Sequence, residues 1–142
     1  MTRSRRIPNL STAFLQIMRA ALFVFLGGGL GSVARYATIR LLARCLPMAV
    51  FPWGVFAANI FGSFILGFLC ALPIMREKGG GPWLFAATGF LGGYTTFSTL
   101  ANDSWLLLAG QHPWLAVLNA VGSIALGIIA AALGWWVAGR CV

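Results

Sequence analysis

The sequence predicts an all-α membrane protein with four transmembrane helices, the third of them broken. Three observations carry that reading. Of 142 residues, 60% are apolar and only 8% charged, with a mean hydropathy of +0.89. The apolar residues fall into long stretches bounded by Pro, Gly or basic side chains, and the third stretch is interrupted by glycines and hydroxyls. About a quarter of an ordinary soluble domain is charged, whereas Glu77 and Asp103 are the only acids here, beside ten Lys and Arg. A spanning helix takes roughly 20 apolar residues, so the chain holds about four, with short connections and no extramembrane catalytic domain.

Residues 1–12 form a basic tail with Arg3, Arg5 and Arg6, and residues 13–142 the transmembrane domain. The stretch from Ser11 to Arg19 reads as a helical lead-in. A cleavable signal peptide is disfavoured, because the apolar run from Ala20 continues into Gly31 and Arg35 without an A-x-A site. The first span is expected over about Ala20 to Leu42, with Pro47 and Pro52 blocking continuation. The second runs from about Trp53 to Met75, closed by Arg76, Glu77, Lys78 and the Gly79-Gly80-Gly81-Pro82 turn. The third covers about Trp83 to Ala109. The fourth, after Gly110-Gln111-His112-Pro113, covers about Trp114 to Ala138.

Tryptophans 53, 83, 114, 135 and 136 fall at the borders, where amphipathic rings anchor at the headgroups. An even number of spans puts both termini on one side, with most of the Lys and Arg, against Arg40 and Arg44 on the other. The positive-inside rule then predicts cytoplasmic termini. Small residues recur at spacing four, as Gly27/Gly31, Ser63/Gly67, Gly89/Gly93, Ser123/Gly127 and Ala130/Gly134, which predicts close helix crossings.

Several chemistries are excluded. The net charge of +8 is scattered along apolar segments rather than gathered on a face with stacking aromatics, so nucleic acid is not the expected partner. Cys45, Cys70 and Cys141 are odd in number and in no metal or redox spacing. Gly29-x-Gly31-x-x-Ala34 fits a dinucleotide-binding pattern, yet no acid follows at the ribose distance, and close helix packing explains it. His112 is the only histidine, in a turn, and Ser98 near Asp103 has no base. No enzyme is expected.

Polar residues inside a span face protein or water and are functional candidates. Arg35 is one, with snorkelling to the interface as its alternative. Asn59 with Ser63, and Asn119 with Ser123, make one-turn polar pairs on the second and fourth spans, suited to interhelical hydrogen bonding or to a polar path. Gly92-Gly93-Tyr94-Thr95-Thr96-Phe97-Ser98-Thr99 opposes a continuous helix. Irregular backbone at membrane depth is tolerated only in protein or beside a wet cavity, where carbonyls suit a cation and amides an anion. Asp103, about one turn beyond, reads as a site acid or an interface residue.

Gly27-Gly28-Gly29-x-Gly31-Ser32-x-x-Arg35-Tyr36, Trp53-Gly54 leading to Asn59, and Thr88-Gly89-Phe90-x-Gly92-Gly93-x-Thr95-Thr96-Phe97-Ser98-Thr99 closely resemble the CrcB/Fluc fluoride channel family. The resemblance covers nearly the whole chain after the tail. It implies an antiparallel, dual-topology dimer with two fluoride pathways and a structural sodium ion, formed by two copies or with an oppositely oriented homologous subunit. Matched residue by residue, Gly92 and Thr95 fall on carbonyls that hold sodium. Phe97 falls on an aromatic whose edge faces fluoride, Asn59 on the pore asparagine, and Arg35 on the first-span arginine. Thr96, Ser98 and Ser123 fall on or near the hydroxyl track, and Asn119 precedes Ser123 in the fourth-span pattern. Leu100 replaces a second family phenylalanine, Val55 a frequent hydroxyl, and Asp103 a common Glu.

The implied function is passive export of fluoride across the cytoplasmic membrane. Fluoride is small and hard, so its lost hydration must be replaced by several donors, and neutral amides, hydroxyls and aromatic edges do so without trapping it. A four-span proton-coupled exporter is the rival, but it needs a membrane-embedded carboxylate, which the first two spans lack. A redox-complex anchor would need paired haem-ligating histidines.

Overall fold

The computed structural model describes residues 10–75 and 77–141, and among them every regular element is helical. Arg3, Arg5 and Arg6 of the basic tail, and Arg76, lie outside the described residues. Helix α1 is Leu10–Cys45, 36 residues or about 54 Å. It is longer than the expected first span, and residues 10–12, assigned to the tail, are already helical. Its glycines are helix-weakening but not helix-breaking, and no proline intervenes before Pro47, so the lead-in and the span fuse.

Helix α2 is Trp53–Ala71, four residues shorter at its end than the expected second span. Pro73 sets that limit: the residue before a proline is driven from helical to extended backbone, and Leu72 has ψ 133°. A 3-10 turn, Pro73–Met75, follows.

Residues 81–94, here α3, begin as an α-helical turn at Gly81–Trp83 with Pro82 inside it. They widen into a π-helix over Leu84–Leu91 and end in a turn, Gly92–Tyr94. Thr95 and Thr96 are extended, with ψ 157° and 119°, and α4, Phe97–Ala109, follows. Gln111 has φ 62°. With Gln111 N–H bonded to Leu108 C=O (3.1 Å) and His112 N–H to Leu107 C=O (2.8 Å), α4 ends in a Schellman motif. Helix α5 is Pro113–Cys141.

Helices α1, α2 and α5 are each long and apolar enough to cross a membrane. The spacing-four glycines explain how they pack. A Cβ on Gly31 would overlap Phe90 O, and one on Gly93 would overlap Gly28 O, so α1 and α3 meet backbone to backbone. Likewise α2 and α5 touch where Gly67 faces Ala131 O and Gly134 faces Phe64 O. The α1–α2 connection shares a cavity with the turn after α4 through Val50, Pro52, Gly110 and His112. At the other end, residues 77–81 lie against the start of α1. Residues 81–109 therefore traverse the bundle from end to end.

Candidate functional site

Where α3 gives way to α4, two peptide units leave the helical ladder, and each of their polar groups needs a partner inside the bundle. Thr95 N–H and Thr95 Oγ1–H both go back to Leu91 C=O, at 3.0 and 2.9 Å. Thr95 C=O accepts from Arg35 Nη1 at 3.3 Å. Thr96 is held from α2: its N–H donates to Asn59 Oδ1 at 2.8 Å, and its C=O accepts from Asn59 Nδ2 at 3.2 Å. The Asn59 carboxamide thus imitates a neighbouring strand. Because its oxygen must face an N–H, its orientation is fixed, and one of the two Nδ2 hydrogens stays uncommitted.

Thr96 also caps α4. Its Oγ1 accepts from Thr99 N–H at 3.3 Å, satisfying one amide of the first turn, and lies 3.0 Å from Thr99 Oγ1 and 3.4 Å from Ser98 Oγ. On the α3 side, Thr96 N–H would serve Gly92 C=O if the helix continued. Its diversion to Asn59 releases that carbonyl at the negative end of α3.

These groups surround a cavity of about 320 Å³. Asn59, Gly92, Thr95, Thr96, Phe97 and Ser123, all candidates from the sequence, line it together. Ser123 Oγ is buried without a partner. Phe97 is 77% exposed, a large ring left uncovered beside a polar cavity. Leu100 is buried and lines the same cavity. Among the described residues, no charged side chain lines it.

The remaining candidates fall nearby. Arg35 touches the break from the α1 side, through Thr95. Ser98 is exposed and linked to the site only through Thr96. Asn119 is fully buried one turn before Ser123; its Nδ2 donates to Ser104 Oγ at 3.0 Å and Leu100 C=O at 3.4 Å, while Oδ1 has no partner among the described residues. Val55 is buried against a different cavity, shared with Thr99 and Asp103.

Three participants escaped the sequence reading. Gly62 lies one turn before Leu66 on the cavity wall, and a Cβ there would overlap Thr95 Cγ2. Ser104 bridges Asn119 to α4; its spacing of four from Leu100 was the available signal. Thr38 lies 3.1 Å from the hydroxyl of Tyr94, tying α1 to the end of α3.

Fold and site define a polytopic helical membrane protein with a small cavity of neutral hydrogen-bonding groups at a helix interruption. Residues 22–135 match the family described as CrcB-like protein, Camphor Resistance (CrcB). The chain belongs to that family. It is 43% identical over 119 residues to "Fluoride-specific ion channel FluC" of Bacteroides fragilis, covering 82% of this chain and 94% of that one. It is 41% identical over 125 residues to the protein of the same name from Thermus thermophilus, covering 88% and 99%. To "Fluoride-specific ion channel FluC 2" of Mycobacterium tuberculosis it is 42% identical over 115 residues, covering 81% and 87%.

Proposed function

We propose that this protein is a fluoride-selective channel, not an enzyme, that lets fluoride leave the cell passively through the cytoplasmic membrane. The single observation that carries this reading is the Asn59 geometry. One carboxamide holds the extended Thr96 backbone and keeps an N–H for an ion in the cavity. The unpartnered Ser123 hydroxyl supplies a further donor. The Thr96 and Ser98 hydroxyls and the positive edge of the Phe97 ring extend the set. Neutral donors replace fluoride's water without the charge that would hold it.

In this reading α3 and α4 form one broken third span, which supplies the fourth crossing and places both termini in the cytoplasm. Two subunits pair in antiparallel orientation, as identical copies or as this chain with an oppositely inserted homologue. The second subunit covers Phe97. The donor set at the break fits a structural sodium ion: Gly92 C=O has lost its helical donor, and Thr95 C=O has a second lone pair beyond the one given to Arg35. Both residues line the cavity, at the carbonyl end of a helix, where a hard cation is favoured. Asn119 Oδ1 would take a water hydrogen beside this path.

The test is reconstitution of the pure protein in liposomes loaded with fluoride and chloride, read by ion-selective electrodes. Rapid fluoride loss with chloride retained is the expected result. Equal release of both refutes selectivity, and silence to both refutes the channel. Proton-dependent transport abolished by Asp103→Asn would instead identify an exporter.

A further inference from the structure

The largest of the described cavities, about 700 Å³, lies away from the Asn59 site, between the start of α1 and the α2–α3 connection. Its wall carries two opposite charges, Arg19 on α1 and Glu77 on the connection, together with the Gln16 carboxamide. No salt bridge joins Arg19 to Glu77 among the described residues, so the two face the same space without neutralising each other. The turn bonded from Gly80 N–H to Glu77 C=O at 2.9 Å fixes the connection. Gly81 lets it approach α1, since a Cβ there would meet the Phe23 ring at 3.1 Å.

The cavity's remaining wall is apolar, through Ile17, Ala20, Phe23 and Leu84. Ile17 is also 66% exposed, next to exposed Phe14 and Met18, so the apolar wall runs out onto the flank of α1. This end of the bundle carries Lys78 above the Trp83 ring (5.8 Å) and Arg140 above the Trp136 ring (3.7 Å). Cation and indole pairs of this kind sit at headgroup depth.

We infer that this cavity binds the head group of a zwitterionic phospholipid with a primary ammonium, its phosphate on Arg19 and Gln16 and its ammonium on Glu77. An acyl chain then follows Ile17 and Phe14 down the flank of α1. Charge complementarity selects the occupant. An anionic head group such as that of phosphatidylglycerol brings only neutral hydroxyl donors and a net charge of the same sign as Glu77, and a quaternary ammonium has no N–H for the carboxylate. The inference rests on membrane insertion but not on ion conduction.

The full-length protein in mixed vesicles, probed with spin-labelled phosphatidylethanolamine, phosphatidylcholine and phosphatidylglycerol, tests it. The expected result is an immobilised fraction that favours phosphatidylethanolamine over phosphatidylcholine about three-fold, on the order of 0.6 kcal/mol. Glu77→Gln should erase that preference while leaving phosphatidylglycerol association unchanged or strengthened, because the like charge is gone. Glu77→Asp should restore it, and Arg19→Gln should weaken association of phosphatidylethanolamine and phosphatidylglycerol alike. Both residues are exposed, so the variants fold, and helix content by circular dichroism verifies this. Equal association of all three lipids with the wild type, or a preference that survives Glu77→Gln, overturns the assignment. Because the readout is lipid mobility, a protein that fails to conduct fluoride still answers the question.

Discussion

Asn59→Ala removes the two hydrogen bonds that hold the extended step, at 2.8 and 3.2 Å. Among the described residues, no other side chain takes the place of Asn59 on Thr96 N–H and C=O. A buried polar group without a partner costs roughly 1–3 kcal/mol. These two adjoin a cavity of about 320 Å³, large enough for water to enter and recover part of the loss. The low end applies to each, giving a destabilisation of about 2 kcal/mol, or a roughly 30-fold shift in the folding equilibrium. Equilibrium unfolding in mixed micelles, followed by tryptophan fluorescence, measures the first effect, and fluoride efflux from liposomes the second. The free Nδ2 hydrogen disappears with the side chain, so efflux should fall at least about ten-fold, the loss of one charge-assisted hydrogen bond of about 1.5 kcal/mol. A variant that loses stability but conducts normally would make Asn59 a brace alone. Undiminished stability would refute the paired bonding itself.

Ser123→Ala separates folding from conduction in the opposite sense. The hydroxyl is buried without a partner, so its removal should leave stability unchanged or raise it by about 1 kcal/mol, while fluoride efflux declines in the electrode assay. Thr96→Val deletes the cap on α4 and should lower the unfolding free energy by about 1 kcal/mol, measured by the same titration, with conduction also reduced. Gly31→Ala drives a methyl into Phe90 O and should cost about 3 kcal/mol, seen as loss of monodisperse protein on gel filtration. Gly139→Ala, which meets nothing within 4 Å, should behave as wild type or gain a few tenths of a kcal/mol in helix propensity.

Much of the bundle could be read from residue spacing. The pairs Gly27/Gly31 and Gly89/Gly93 announce a close crossing, and they do face one another across α1 and α3. Between α2 and α5, Gly127 meets Ser63, Gly67 meets Ala131 and Gly134 meets Phe64. Spacing tells that a helix has a flat face, yet it does not name the face opposite, which depends on three-dimensional order. The end of α2 was signalled by Pro73, whose effect on Leu72 is local and steric, yet the expected span ran past it to Met75. The π-helical widening over Leu84–Leu91 was not, because no side chain there enforces it and the register answers to packing against α1.

The site divides the same way. Asn59 and Thr96 were each conspicuous as polar groups among apolar ones. That the first would supply both partners of the second's backbone is a relation across 37 positions, invisible to any local pattern. Gly62 went unnoticed because its contribution is an absence, the room it leaves for the Thr95 methyl. Arg35 was legible as costly in lipid, and the structure sets one of its donors 3.3 Å from the Thr95 carbonyl.

The seam between α1 and α3 joins carbonyls and α-carbons directly, with no side chain interleaved at Gly27, Gly31 and Gly93. Nothing at such a joint can swivel from one rotamer to another, so neither helix can be eased sideways without dragging its entire length. The cavity beside Gly92, Thr95 and Thr96 adjoins that joint, so its width is set when the helices assemble and not by the turn of a side chain.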